Sequence, residues 1–85
     1  MDKSVFDAVS VIMEEYDRAE KKWNENYHHD ADQPVEFWIT HMQRYLTKAT
    51  QSSGGWDKTE ALRNIVKVAS LAITCLSYNP VDMED

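Results

Sequence analysis

Between Ile65 and Leu76 only three residues are polar, Lys67, Ser70 and Thr74, and they fall three and four positions apart. That spacing puts them on one narrow stripe of a helix. The rest of the segment, Ile65, Val66, Val68, Ala69, Leu71, Ala72, Ile73, Cys75 and Leu76, is apolar. A helix that is apolar around most of its circumference is buried around most of it. The uncharged run from Val68 to Val81 is 14 residues long and is broken by Asn79 and Pro80. A membrane span needs about 20 apolar residues, so the segment belongs at the centre of a helical bundle.

The partners of this helix are legible upstream. Val5, Val9, Ile12, Tyr16, Ala19 and Trp23 recur at steps of four and three, which is one helical face, and Phe6 and Met13 widen it. Ser4 with Asp7 reads as its start. Acid-before-base pairs, Glu14 with Arg18 and Asp17 with Lys21, support the outer face. The first helix is expected over about residues 4–25. Asn26 to Gln33 is polar and reads as a connection. Asp32 or Gln33 caps a second helix over about 34–51, with Pro34 in its first turn. Val35, Trp38, Met42, Tyr45 and Ala49 form its apolar face, flanked by Phe37, Ile39 and Leu46. Gln51 to Gly55 ends it. Asp57 with Glu60 is a capping pattern for the third helix, expected over about 57–78 and stopped by Asn79-Pro80. Residues 79–85 read as a frayed acidic tail.

The predicted fold is all-α: a single domain over residues 1–85, an antiparallel three-helix bundle with the third helix central. A chain this short buries only about 60–65% of the surface its unfolded form exposes. Two short helices leave part of the third uncovered. A second copy, meeting the first at Ile65, Val68, Leu71, Ala72, Cys75 and Leu76, is the expected completion, as a dimer or larger assembly. Cys75 is the one cysteine, which excludes an internal disulfide and fits a reducing cytoplasm. Met1-Asp2-Lys3-Ser4 begins polar and is not read as a signal peptide.

Charge is unevenly placed. Residues 1–36 hold ten acidic and four basic side chains, and residues 37–85 hold five of each, so the first half carries the whole net charge of −6. Such a field disfavours DNA, RNA and anionic membranes and favours a basic protein partner. Glu14, Asp17, Glu25, Asp30 and Asp32 are the candidate acidic surface. Arg18, Lys21 and Lys22 interleave with these acids, which spoils any imitation of a phosphate backbone.

Other constellations are weaker. His28, His29, Asp30 and Asp32, with His41 further on, are metal-ligand types, but adjacent residues rarely aim at one ion and no metal-site spacing accompanies them. Trp23, Tyr27, Phe37, Trp38, Tyr45, Trp56 and Tyr78 are expected mainly as packing anchors. Cys75 lies in an apolar run without a nearby His, so its thiol is expected to be inert. No cofactor motif is present.

Three stretches carry a family likeness. Glu15 to Trp23 is an acidic and basic run ending in Lys-Trp. Phe37-Trp38-Ile39 is followed by Met42 to Ala49, and Asn64 to Ala72 is Ala-containing and apolar. Together, over roughly residues 12–78, they resemble the small phage and prophage members of the MazG-like all-α nucleoside triphosphate pyrophosphatases. The resemblance implies a helical oligomer that cleaves nucleotides to a monophosphate and pyrophosphate with magnesium held by clustered carboxylates. The metal-binding positions of that pattern fall here on Gln43, Arg44, Thr47, Asn64 and Lys67. None is an acid, and two are cations. The expectation is therefore a protein that is not an enzyme, uses no cofactor and acts in a bacterial host cytoplasm by occupying a partner protein, as a phage-type accessory or inhibitor. The alternatives are a metal-independent nucleotide sponge or sensor, with Arg44, Lys48, Arg63 and Lys67 as a basic pocket, and an active pyrophosphatase relocated to Glu36, Asp57 or Glu60.

Overall fold

The computed structural model describes residues 2–26, 32–53 and 57–83, with the side chains of 23–26, 52 and 53 outside that description. The chain folds into three helices, α1 (Lys3–Asn26), α2 (Val35–Ser53) and α3 (Lys58–Tyr78). The expected connection through Tyr27, His28, His29 and Asp30, the reversal at Gly54-Gly55, Trp56, and the tail residues Glu84 and Asp85 lie outside the described residues. So do the side chains of Trp23 and Glu25.

Each helix begins or ends where its backbone groups find a substitute partner. Asp2, not Ser4, caps α1: its Oδ1 accepts from the Ser4 backbone N–H and from the Ser4 hydroxyl, both at 2.8 Å. The bonds from the Ser4 backbone N–H and then from its hydroxyl hold the Asp2 carboxyl below its ordinary value. Asp57 caps α3 by accepting from the Glu60 N–H at 2.9 Å. Glu60 turns its own carboxylate towards Arg63, at 3.5 Å. At the far end the Asn79 N–H and side-chain amide both donate to the Cys75 carbonyl, at 3.0 and 2.9 Å. Pro80 follows and cannot continue the helix.

α3 is central. It packs against α2 along its length and against α1, while α1 and α2 scarcely touch each other. Tyr45 of α2 meets Lys67 of α3, and the Tyr16 phenol of α1 lies near enough to Tyr78, the last residue of α3, to feel it. The buried core is small and lies where α2 meets α3, with Trp38, Ala49, Ala61 and Cys75 as its apolar members and Asn64 and Ser70 as its polar ones. Asn64 satisfies its amide by donating to the Glu60 carbonyl at 3.0 Å. Trp38 is 1% exposed, and its Nε1–H finds no acceptor among the described residues. Phe37 packs edge-on against both Trp38 and His41, with ring centroids 5.1 and 4.5 Å away.

The first turns of α1 are different. Every residue from Asp2 to Val11 is exposed, and the helix first enters the interior at Ile12. Among the described residues no helix is long and apolar enough to cross a membrane.

Candidate functional site

Since α1 and α2 both lean on α3 but not on each other, a groove remains between them. Its volume is about 290 Å³. The floor is the polar stripe of α3, Lys67, Ser70 and Thr74, with Leu71 and Tyr78 beside it. One wall is α1, from Glu15 to Lys22, and the other is α2, with Trp38, His41, Arg44 and Tyr45. Small side chains at Ala19 and Ser70 keep the space open. Thr74 turns its hydroxyl back onto the Ser70 carbonyl at 3.1 Å, so the stripe is spent partly on its own helix.

The groove is basic in an acidic protein. Among the described residues four cations line it, Arg18, Lys22, Arg44 and Lys67, against two carboxylates, Glu15 and Glu20. The lining therefore carries an excess of two positive charges in a chain whose net charge is −6. Both carboxylates are engaged. Arg18 holds Glu15 in a two-pronged pair, Nε to Oε1 at 3.1 Å and Nη2 to Oε2 at 2.6 Å, and this bonding raises the Arg18 pKa further. Glu20 accepts from the Tyr16 hydroxyl. Burial, then the Glu20 charge and the neighbouring Tyr78, push the Tyr16 phenol above its ordinary value.

Arg44 and Lys67 have no such partner among the described residues. The Lys67 ammonium lies over the Tyr45 ring, 5.3 Å from its centroid, and Lys48 approaches the same ring at 5.1 Å. Arg44 lies beside His41. Burial, and then the Arg44 charge, hold the His41 imidazole below its ordinary value.

Of the four basic residues expected to form a pocket, Arg44 and Lys67 line the groove. Lys48 stands outside it on the Tyr45 ring, and Arg63 sits one turn into α3, paired with Glu60. Arg18 and Lys22 were not among the expected pocket residues. Their signal was positional, since they are one turn apart and flank the core residues Tyr16 and Ala19. Arg18 also pairs with Glu15 instead of Glu14, because Glu15 lies on the groove side of α1, with only 17% of its side chain exposed. Asp17 makes no ion pair with Lys21 among the described residues.

Glu14, Asp17 and Asp32 are exposed; the side chain of Glu25 and all of Asp30 lie outside the described residues. On α3, Cys75 is already covered by its own chain, Leu71 borders the groove, Val68 and Ala72 are half-buried, and Ile65 and Leu76 are exposed.

The residues at the expected metal positions do not fit magnesium. Arg44 and Lys67 place positive charge in the groove. Gln43 and Thr47 face solvent, and Asn64 is buried on the Glu60 carbonyl. Glu36, Asp57 and Glu60 lie outside the groove lining, and Asp57 is occupied as a cap. Among the described residues no group of three or more His, Cys, Asp or Glu side chains is gathered to hold a metal. Comparisons of this chain with protein-family models, with curated proteins and with solved structures find no match.

Proposed function

We propose that the protein binds a small phosphorylated ligand of the nucleotide class in the groove between its three helices, without a metal ion and without turnover. One observation carries this reading. Arg44 and Lys67 line a common groove from two helices and make no ion pair among the described residues, in a chain that has an excess of carboxylates. An unneutralised pair of cations in a partly enclosed space is an anion site. The guanidinium offers a planar fork for two phosphate oxygens, and the ammonium a point charge. Tyr16, Tyr45 and Tyr78 supply aromatic surface for the remainder of the ligand. The volume is at the small end of ligand sites, which favours a mononucleotide over anything larger.

The test is calorimetry with a panel of linear and cyclic nucleotides in the presence of a chelator. Binding is expected without metal. Arg44→Gln and Lys67→Gln should each weaken it by about 10- to 100-fold, the usual worth of one charged hydrogen bond. No pyrophosphate should be released when magnesium is supplied. Absence of heat across the panel at millimolar concentration removes the proposal.

A second reading is a MazG-like accessory or inhibitor protein that occupies a basic protein partner. It is supported by Glu14 and Asp17, which are exposed on α1 and make no ion pair among the described residues. A pull-down from a bacterial lysate, repeated with Glu14→Gln and Asp17→Asn together, tests it. A partner that is retained equally by wild type and variant sinks this reading.

A further inference from the structure

We infer that Arg18 is a third cation that grips the groove ligand, and that through it the ligand draws α1 onto the α2–α3 pair; the inference rests on the reading of the groove as a phosphate site. α1 is the least firmly held of the three helices. None of its described side chains is buried, and only Ile12, Glu15, Tyr16 and Ala19 are half-buried. The buried residues, Trp38, Ala49, Ala61, Asn64, Ser70 and Cys75, all lie on α2 and α3. α1 also scarcely touches α2. A helix attached only by half-buried contacts opens at lower free energy than the pair that holds the core. Yet this helix forms one whole wall of the groove. A ligand bound there lies between α1 and α2 and supplies the contact that the two helices do not make themselves.

Arg18 is the α1 group suited to that contact. A guanidinium has five N–H donors in a fixed fork. Here the Nε–H and one N–H of Nη2 go to Glu15, at 3.1 and 2.6 Å. The Nη1 donors make no hydrogen bond among the described residues. Glu15 therefore fixes the plane of the fork without exhausting it. The fork also reaches towards α2: after the bond and charge of Glu15, the nearby Tyr45 phenol contributes to raising the Arg18 pKa. Tyr45 is the ring over which Lys67 holds its ammonium, and Arg44 precedes it in α2. One cation from each helix, Arg18, Arg44 and Lys67, thus lines the groove near Tyr45. A phosphate there accepts from all three, and its bonds to Arg18 tie α1 to the other two helices.

Calorimetry and hydrogen exchange on the intact protein test this, with adenosine, guanosine, cytidine and uridine monophosphates in turn and a chelator present. Glu15→Gln combined with Arg18→Gln removes one charge of each sign, so the excess of two positive charges on the groove lining is unchanged. Weaker binding by this double variant reports a lost contact and not a changed field. About 10-fold is expected, the low end for a charged hydrogen bond, because the Arg18 side chain is 58% exposed. The exchange measurement needs no variant. At about 100 times Kd, amides from Tyr16 to Lys22 should slow by up to about 100-fold in wild type, since α1 then opens only when ligand leaves. At the same multiple of its own Kd the double variant should show little slowing there, because Arg44 and Lys67 keep the ligand while α1 opens. A double variant that binds as tightly as wild type overturns the inference. So do α1 amides that saturating nucleotide leaves unchanged, and in either case the groove reading stands. Failure of wild type to bind any of the four removes the groove reading and the inference together.

Discussion

Lys67 of α3 holds its ammonium 5.3 Å from the centre of the Tyr45 ring of α2, and Lys48 approaches the same ring at 5.1 Å. One aromatic ring therefore gathers two cations on the α2 side of the groove. Each contact is worth about 0.5–1 kcal/mol at a partly exposed site. Tyr45→Leu keeps an apolar side chain but removes the ring quadrupole. It should destabilise the fold by about 1–2 kcal/mol, by loss of both contacts. Tyr45→Phe retains the ring and should cost much less. Urea midpoints of the two variants at equal m-value make the comparison.

The buried Trp38 poses a sharper contrast. Its indole is the largest fully buried side chain, yet its Nε1–H has no acceptor among the described residues. An unmet buried donor costs about 1–3 kcal/mol. Trp38→Phe removes that donor along with some volume, and the two effects oppose each other. Its stability should fall by less than about 1.5 kcal/mol. Trp38→Ala removes the same donor together with the whole ring volume and should cost about 3–5 kcal/mol. Equal losses in the two variants would show that the indole N–H contributes a bond after all.

The two acidic caps should not behave alike. Asp57 begins α3, whose turns are packed from Ala61 onward, so the loss of its bond to the Glu60 N–H is felt by the whole fold. Asp57→Ala should cost about 1 kcal/mol in global unfolding. Asp2 caps turns that are exposed from Asp2 to Val11. Asp2→Ala should leave the urea midpoint nearly unchanged and act by fraying. Hydrogen exchange checks this. Amides at the start of α1 should exchange faster than those beyond Ile12, and Asp2→Ala should widen the difference without altering α3.

Much of this was legible in the sequence for a simple reason. Periodicity, capping residues and the Asn79-Pro80 stop are local signals, and they placed each helix to within about two residues. The Lys67, Ser70 and Thr74 stripe was equally plain. Its destination was not, because whether a polar stripe faces water or a groove depends on how far apart two other helices stand. The separation of α1 and α2 is a tertiary fact with no local signature. For the same reason Arg18 and Lys22 read as an outer flank, although they line the groove. The exposed start of α1 follows from how much of α1 the other helices cover. That is a property of the assembled helices and of no one of them alone.

The His41 imidazole should make stability depend on pH, and should make the anion binding proposed above depend on it in the opposite direction. Its folded pKa lies below the ordinary histidine value of about 6.5, because burial and then the Arg44 charge disfavour the imidazolium. Between the folded pKa and that ordinary value the unfolded chain binds more protons than the folded one. Stability of the free protein therefore falls as pH drops through this window, and is unaffected by His41 above it. A bound anion reverses the local balance. It screens Arg44 and pairs with the imidazolium, so its binding draws a proton onto His41, and affinity should rise as pH falls. Sulfate is the suitable probe, since it keeps its charge across the range. Urea midpoints from pH 7.5 to 5.5, measured with and without sulfate, should diverge on the acid side for wild type. His41→Gln should remove most of that divergence and keep the binding that Arg44 and Lys67 provide. A sulfate effect of the same size at both ends of the range in wild type would place His41 outside the site.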